Sequence, residues 1–265
     1  MRLVDAHCHL DHPRFSEDVN EVINNARDEG VKAIISQGVN LESNKRVLAL
    51  SQQHDIVQAA MGLYPVEAPN VMIKEDIIDD YIIECKASVD ETIAFIREHK
   101  NDIVAIGEVG IDLKESDDYE NQKENFNKFI ALAKELKKPL IIHSRKAEEQ
   151  VLSLLEESGI HKSLVHMHCF CGKKKFIERG VKLGYTFSIP CAITRAQNFQ
   201  ILAGMVPITQ LLTETDGPYM PPRKESERSV PQDVRYTIKE VARIKGMDEQ
   251  EVAHNIFMNY QRMYS

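Results

Sequence analysis

Eight short β-branched apolar runs, alternating with longer segments of helical period, limit what this 265-residue chain can fold into more than any other feature. The runs are LVDAHCHL from Leu3, VKAIISQGV from Val31, IVQAAMGLY from Ile56, IVAIGEVGI from Ile103, PLIIHSR from Pro139, LVHMHCF from Leu164, YTFSI from Tyr185 and QLLTETD from Gln210. Between them lie stretches such as EDVNEVINNARDEG, ENFNKFIALAKELKK and EEQVLSLLEESG. Several of these stop at Gly or in a basic last turn, as helix ends do. Strands alternating with helices predict βαβ units and a parallel sheet. Eight strands close an α/β fold of the (β/α)8 TIM barrel type, whose usual size is about 250 residues. A doubly wound open sheet is the alternative, but no GxGxxG or Walker sequence follows any run.

A domain per roughly 150 residues would give about 1.8 domains. The eight alternations use most of that length, so residues 1–265 are expected to form one barrel domain. The excess falls in two places. Residues 66–100 hold an acidic helical pattern, Ile73 to Lys86, and a second one, Val89 to Lys100, which make an insertion after strand 3. Asp248 to Ser265 is an extra C-terminal helix expected to pack outside the barrel.

Composition narrows the function classes. Lys and Arg total 33 against 41 Asp and Glu, a formal charge of −8, and 43% of residues are hydrophobic. That supports a full core and excludes a protein that coats nucleic acid, because its global field repels a polyanion. No run approaches the roughly 18 apolar residues of a membrane span. MRLVDAHCHL has no apolar h-region or cleavage signal, and Cys8, Cys85, Cys169, Cys171 and Cys191 form no disulfide framework. A reducing, cytoplasmic location is expected. Cys169 and Cys171 make CxC with no second pair, a poor match to a zinc ribbon.

His7 and His9 stand at i and i+2 in the first run, so both imidazoles point to one face and Cys8 to the other. Two adjacent inward imidazoles are costly unless satisfied, and a metal satisfies both. Asp5 shares their parity and is expected to accept an imidazole N–H. Glu108, His143, His168 and Asp216 each follow an apolar run near the carboxyl end of a different strand, where barrel chemistry is assembled. Four His and two carboxylates form a nitrogen and oxygen set of the kind that holds one or two divalent ions. His166 shares parity with His168 but is expected to lie in a deeper layer. His12, His54, His99, His161 and His254 fall in helical or loop segments and suit surface or capping roles.

DAHCHLD, AIGEVGID, PLIIHSR, MHCFCG and TETDGPYMPP, in this order and over nearly the whole chain, resemble the TatD-related metal-dependent deoxyribonucleases, a family of amidohydrolase-like barrels. The resemblance implies that His7, His9 and Asp216 hold one metal, that His143 and His168 hold a second, and that Glu108 bridges them. It implies two divalent ions per subunit, zinc, manganese or magnesium, with Asp216 and Glu108 as catalytic carboxylates. The family's GxHP is here Gly62-Leu63-Tyr64-Pro65, its aromatic after GLD is Leu113, the Ser of HCFSG is Cys171, and Ser229 replaces an Asn. None of these removes an implied ligand; they bear on substrate preference.

The function so implied is hydrolysis of DNA phosphodiester bonds from an end, by a metal-activated water. DNA ends or another phosphodiester are the expected partners, with no membrane, and the chain is expected to be a monomer. Arg145, Lys146, Lys173 to Lys175, Arg195, Arg223, Lys224 and Arg228 follow the later runs and are expected to rim the barrel mouth. Tyr64, Arg145, Lys173 and Arg223 are the expected substrate contacts, and Tyr64, Phe170 or Tyr219 would stack on bases. Hydrolysis of a small amide, lactone or acyl ester, aminoacyl-tRNA included, at the same site is the competing reading. A non-catalytic metal-binding barrel is the third.

Overall fold

The computed structural model of the protein describes residues 1–74 and 87–265. All eight expected strands form: β1 (Leu3–Cys8), β2 (Val31–Gln37), β3 (Val57–Met61), β4 (Ile103–Gly110), β5 (Leu140–His143), β6 (Val165–Met167), β7 (Thr186–Pro190) and β8 (Leu211–Glu214). They lie in one parallel sheet in the order β1 to β8. Around them run α1 (Val19–Asp28), α2 (Leu41–Gln53), α3 (Val89–Glu98), α4 (Tyr119–Leu136), α5 (Glu148–Ser158), α6 (Lys174–Leu183), α7 (Gln197–Met205) and α8 (Val234–Lys245), followed by α9 (Glu249–Tyr264). This is the (β/α)8 barrel. The strands are buried nearly end to end, as expected of a parallel sheet covered by helices.

The barrel closes where the first and last strands meet. The Asp216 amide donates to the His7 carbonyl (2.9 Å), and the His9 amide donates to the Gly217 carbonyl (2.8 Å). Below them the Thr213 hydroxyl donates to the Val4 carbonyl at 2.6 Å. The Asp5 carboxylate crosses the same seam, accepting from the Thr215 amide (2.8 Å) and hydroxyl (2.5 Å).

Of the insertion, the second helical pattern forms as α3, which opens with a capping box between Ser88 and Glu91. Ile73 and Lys74 belong to no regular element, and the rest of the acidic pattern lies outside the described residues. The tail helix forms, but its place is more specific than the outside of the barrel. Asn259 donates to the Leu211 carbonyl at the start of β8, Tyr260 bonds Gln58 in β3, and Tyr264 bonds His166 in β6. Three strand beginnings are touched by one helix, so α9 lies across the amino-terminal end of the barrel, opposite the end where the candidate ligands gather. Among the described residues no helix is long and apolar enough to cross a membrane.

Candidate metal centre

At the carboxyl end the six candidate ligands converge. His7 Nε2 and His9 Nε2 lie 3.2 Å apart. Asp216 Oδ1 stands 3.6 and 3.5 Å from them, and Glu108 Oε2 stands 3.4 and 3.5 Å from them. Metal–ligand bonds of about 2.0–2.2 Å give a tetrahedron an edge of about 3.3–3.6 Å. Each imidazole thus stands from the other, and from the nearest oxygen of each carboxylate, at about the spacing of such a shell. The other Glu108 oxygen, Oε1, faces His143 Nδ1 at 2.8 Å and His168 Nε2 at 3.3 Å. Glu108 therefore presents one oxygen to each histidine pair. Among the described residues two groups lie close enough to hold a divalent ion, His7 with His9 and Asp216, and His7 with Glu108 and His168.

The backbone is shaped to bring these groups together. Asp216 takes a left-handed conformation at φ +56, and Cys169, next to His168, does so at φ +44. Such residues are held only where surrounding contacts over-determine them. Gly110 sits at φ +148, and a Cβ there would meet the His143 carbonyl at 2.0 Å, so glycine lets β4 and β5 approach behind the ligands.

Burial pushes the Glu108 carboxyl up, yet the charges of His168 and His7 and hydrogen bonds from His143 and His168 hold it well below its usual range. Asp216 is likewise lowered: the hydrogen bond from His9 and the charges of His168 and His7 outweigh burial. Burial and the charge of His168 lower His7. His143 rises to about 9 despite burial, through its hydrogen bonds to Asp112 and Glu108. The carboxylates stay charged and the imidazoles compete for protons, so cation binding would displace protons from this cluster.

Two further carboxylates orient the histidines, and sequence reasoning missed both. Asp112 Oδ2 meets His143 Nε2 at 2.8 Å and accepts from the Tyr64 hydroxyl at 2.9 Å. Its other oxygen accepts from the Lys114 and Glu115 amides. Glu214 Oε2 accepts from His168 Nδ1 at 3.0 Å, while its Oε1 accepts from the Cys169 amide at 2.9 Å. A usable signal existed: each stands two or four positions from a candidate ligand, at the same parity. Asp5 was expected to receive an imidazole N–H and does not. It takes the His7 backbone amide (3.3 Å) and Thr215, because the seam puts those donors nearer. His7 Nδ1 finds no hydrogen-bond partner among the described residues. His166 lies deeper as expected, fully buried, between Ser188 and Tyr264.

A cavity of about 500 Å³ opens over the centre, lined by His9, Glu108, His143, His168 and Asp216. Tyr64 and Arg145 are in its wall, as is Arg14, which sequence reasoning did not single out. Lys173 and Arg223 are not. Lys173 is the exposed N-cap residue of α6, and the Arg223 guanidinium lies over the Tyr236 ring of α8. Arg228 pairs with Asp18, Arg195 donates to the Pro221 carbonyl, and Arg145 is bound to Glu115. Glu67, Glu115, Glu148 and Glu227 line the cavity as well, so its mouth is mixed in charge rather than a basic rim. His12 and His161 cap short turns by accepting the Arg14 and Ser163 amides.

The model of the TatD-related DNase family matches residues 4–265. A human protein named deoxyribonuclease TATDN3 is 31% identical over 99% of this chain and 94% of its own length. A 3'-5' ssDNA/RNA exonuclease TatD of Erwinia tasmaniensis is 30% identical over 99% of this chain and all of its own. Among solved structures, the TatD homologue YjjV of Escherichia coli superposes with a TM-score of 0.83 at 28% identity, covering 99% of this chain and 98% of the other. With the family model spanning the barrel from β1 to α9, and relatives this similar along the full length, the chain belongs to the TatD-related DNase family.

Proposed function

We propose that the chain is a metal-dependent deoxyribonuclease that hydrolyses phosphodiester bonds at a DNA end. The observation that carries the reading is the split Glu108 carboxylate, one oxygen facing His7 and His9 and the other facing His143 and His168. Two bound divalent ions, zinc, manganese or magnesium, would supply hydroxide at neutral pH and neutralise charge on a phosphodiester oxygen. His7, His9 and Asp216 would hold one, His143 and His168 the other, with Glu108 shared. Asp216 lines the cavity with its side chain 14% exposed and its carboxyl lowered. Being charged and reachable from the cavity, it would orient the attacking water or take its proton. Arg145, and Arg14 across the cavity wall, are the cations that meet a phosphate. A cavity of about 500 Å³ suits a small-molecule-sized group, which favours a terminal nucleotide over a duplex interior. A single-domain cytoplasmic monomer is part of the same reading; the four described cysteines are all free thiols.

The four glutamates of the mouth favour a second reading, hydrolysis of an uncharged ester, lactone or amide at the same centre. End-labelled single- and double-stranded DNA, incubated with manganese- or zinc-loaded protein and with its Asp216→Asn variant, separates the two. Shortening from one end that requires the metal and is lost in the variant is the expected result. No metal-stimulated cleavage, or equal cleavage by both proteins, overturns the nuclease reading.

A further inference from the structure

Beneath the candidate ligands a chain of buried hydrogen bonds runs from His168 to the last turn of α9. His168 Nδ1 meets Glu214 Oε2 at 3.0 Å, and the Ser188 hydroxyl donates to the same oxygen at 2.5 Å. Ser188 Oγ in turn lies 2.7 Å from His166 Nε2, and His166 Nδ1 lies 2.5 Å from the Tyr264 hydroxyl. His166, Ser188 and Glu214 are fully enclosed, and Tyr264 is 8% exposed.

The direction of each bond follows from the donor inventory. Ser188 has one hydroxyl proton and gives it to the carboxylate, so it accepts from His166 Nε2–H. With that nitrogen protonated, Nδ1 of the neutral imidazole accepts from the Tyr264 hydroxyl. Every hydrogen in the chain therefore points toward Glu214. The carboxylate also takes the Cys169 amide on its other oxygen, so it grips both the His168 ring and the strained left-handed residue that follows. With Nδ1–H of His168 committed to Glu214, Nε2, which faces Glu108, is the nitrogen that a cation would take in exchange for its proton.

We propose that Glu214 is a positioning residue that sets the tautomer and angle of His168, and that Ser188, His166 and Tyr264 hold Glu214 in place. On this arrangement α9, which lies across the far end of the barrel, adjusts how tightly the site holds a divalent ion. The inference rests on His168 being a metal ligand. Aligned donors in a low-dielectric interior polarise one another, so a distant member of the chain affects the first.

The test is a manganese titration followed by electron paramagnetic resonance of the free ion, with thermal melts of each metal-free variant. Glu214→Gln is expected to bind manganese about ten- to a hundredfold more weakly. Tyr264→Phe, remote from the ligands, is expected to weaken binding about threefold. Tyr260→Phe is the control: Tyr260 anchors the same helix through Gln58, at 2.8 Å, outside the chain. It should lower the melting temperature about as much as Tyr264→Phe yet leave manganese affinity at the wild-type value. If Glu214→Gln does not fold, Ser188→Ala takes its place, with a loss of affinity between those of the other two. Wild-type affinity in Glu214→Gln or Tyr264→Phe, or equal weakening by Tyr264→Phe and Tyr260→Phe, overturns the proposal. A wild-type protein that takes up no manganese overturns the metal reading and this inference with it; normal uptake with unaffected variants overturns this inference alone.

Discussion

On the β1–β8 side of the centre, His7, His9 and Asp216 are set by main-chain bonds across the barrel seam, His7 to Asp216 and His9 to Gly217. On the β4–β6 side, main-chain bonds also place His143 and His168, but their rings are in addition gripped by side chains, the carboxylates of Asp112 and Glu214. The first group cannot shift without loosening the closure of the barrel. The second can be detuned one residue at a time. Stability and metal affinity should therefore respond to different substitutions, although the two halves share Glu108.

The largest expected effect is on the seam. Asp5→Ala strands the Thr215 amide and hydroxyl and the His7 amide, each buried, and should cost about 3–5 kcal/mol in urea unfolding. A cost under about 1 kcal/mol would break the comparison. Next is the metal itself. At about a hundred times its dissociation constant, zinc should add about 2.7 kcal/mol to folding stability. That gain should be visible as a higher melting temperature and reversed by a chelator, and an unchanged melt would count against a preformed site. Asp112→Ala, on the side-chain half, should weaken metal binding about ten- to a hundredfold while destabilising the fold less than Asp5→Ala. The reverse order would merge the two halves into one. Tyr64→Phe is smallest, about 0.5–1.5 kcal/mol for one hydrogen bond to Asp112, measured as a modest loss of metal affinity.

Much of this was legible from residues alone, for a physical reason. Strand period is local, so LVDAHCH shows two same-facing imidazoles without any knowledge of neighbours, and eight such runs give the barrel. Parity can flag Asp112 and Glu214 as inward, but which histidine each one meets is decided across strands, 31 and 46 residues away. Loop side chains have no period to fix their direction, and so Arg145 lines the cavity while Lys173 does not. The apolar face of α9 is plain in its spacing, but not the wall it meets. Tyr64 shows both limits. The residue type gives a hydroxyl where the family resemblance implies an imidazole. Only the fold shows that burial and the charge of Asp112 keep this phenol protonated, as a donor to the group that steers His143.

The seam has a consequence for how such an enzyme comes into being. Residues 7 and 9 leave the ribosome first among the candidate ligands and residue 216 last, and the bonds that align them join the opening and closing strands. A chain that has not reached residue 216 lacks one of the three groups proposed for the first ion. A protein proposed to cut polynucleotides would thereby complete its candidate site only in the step that closes the barrel.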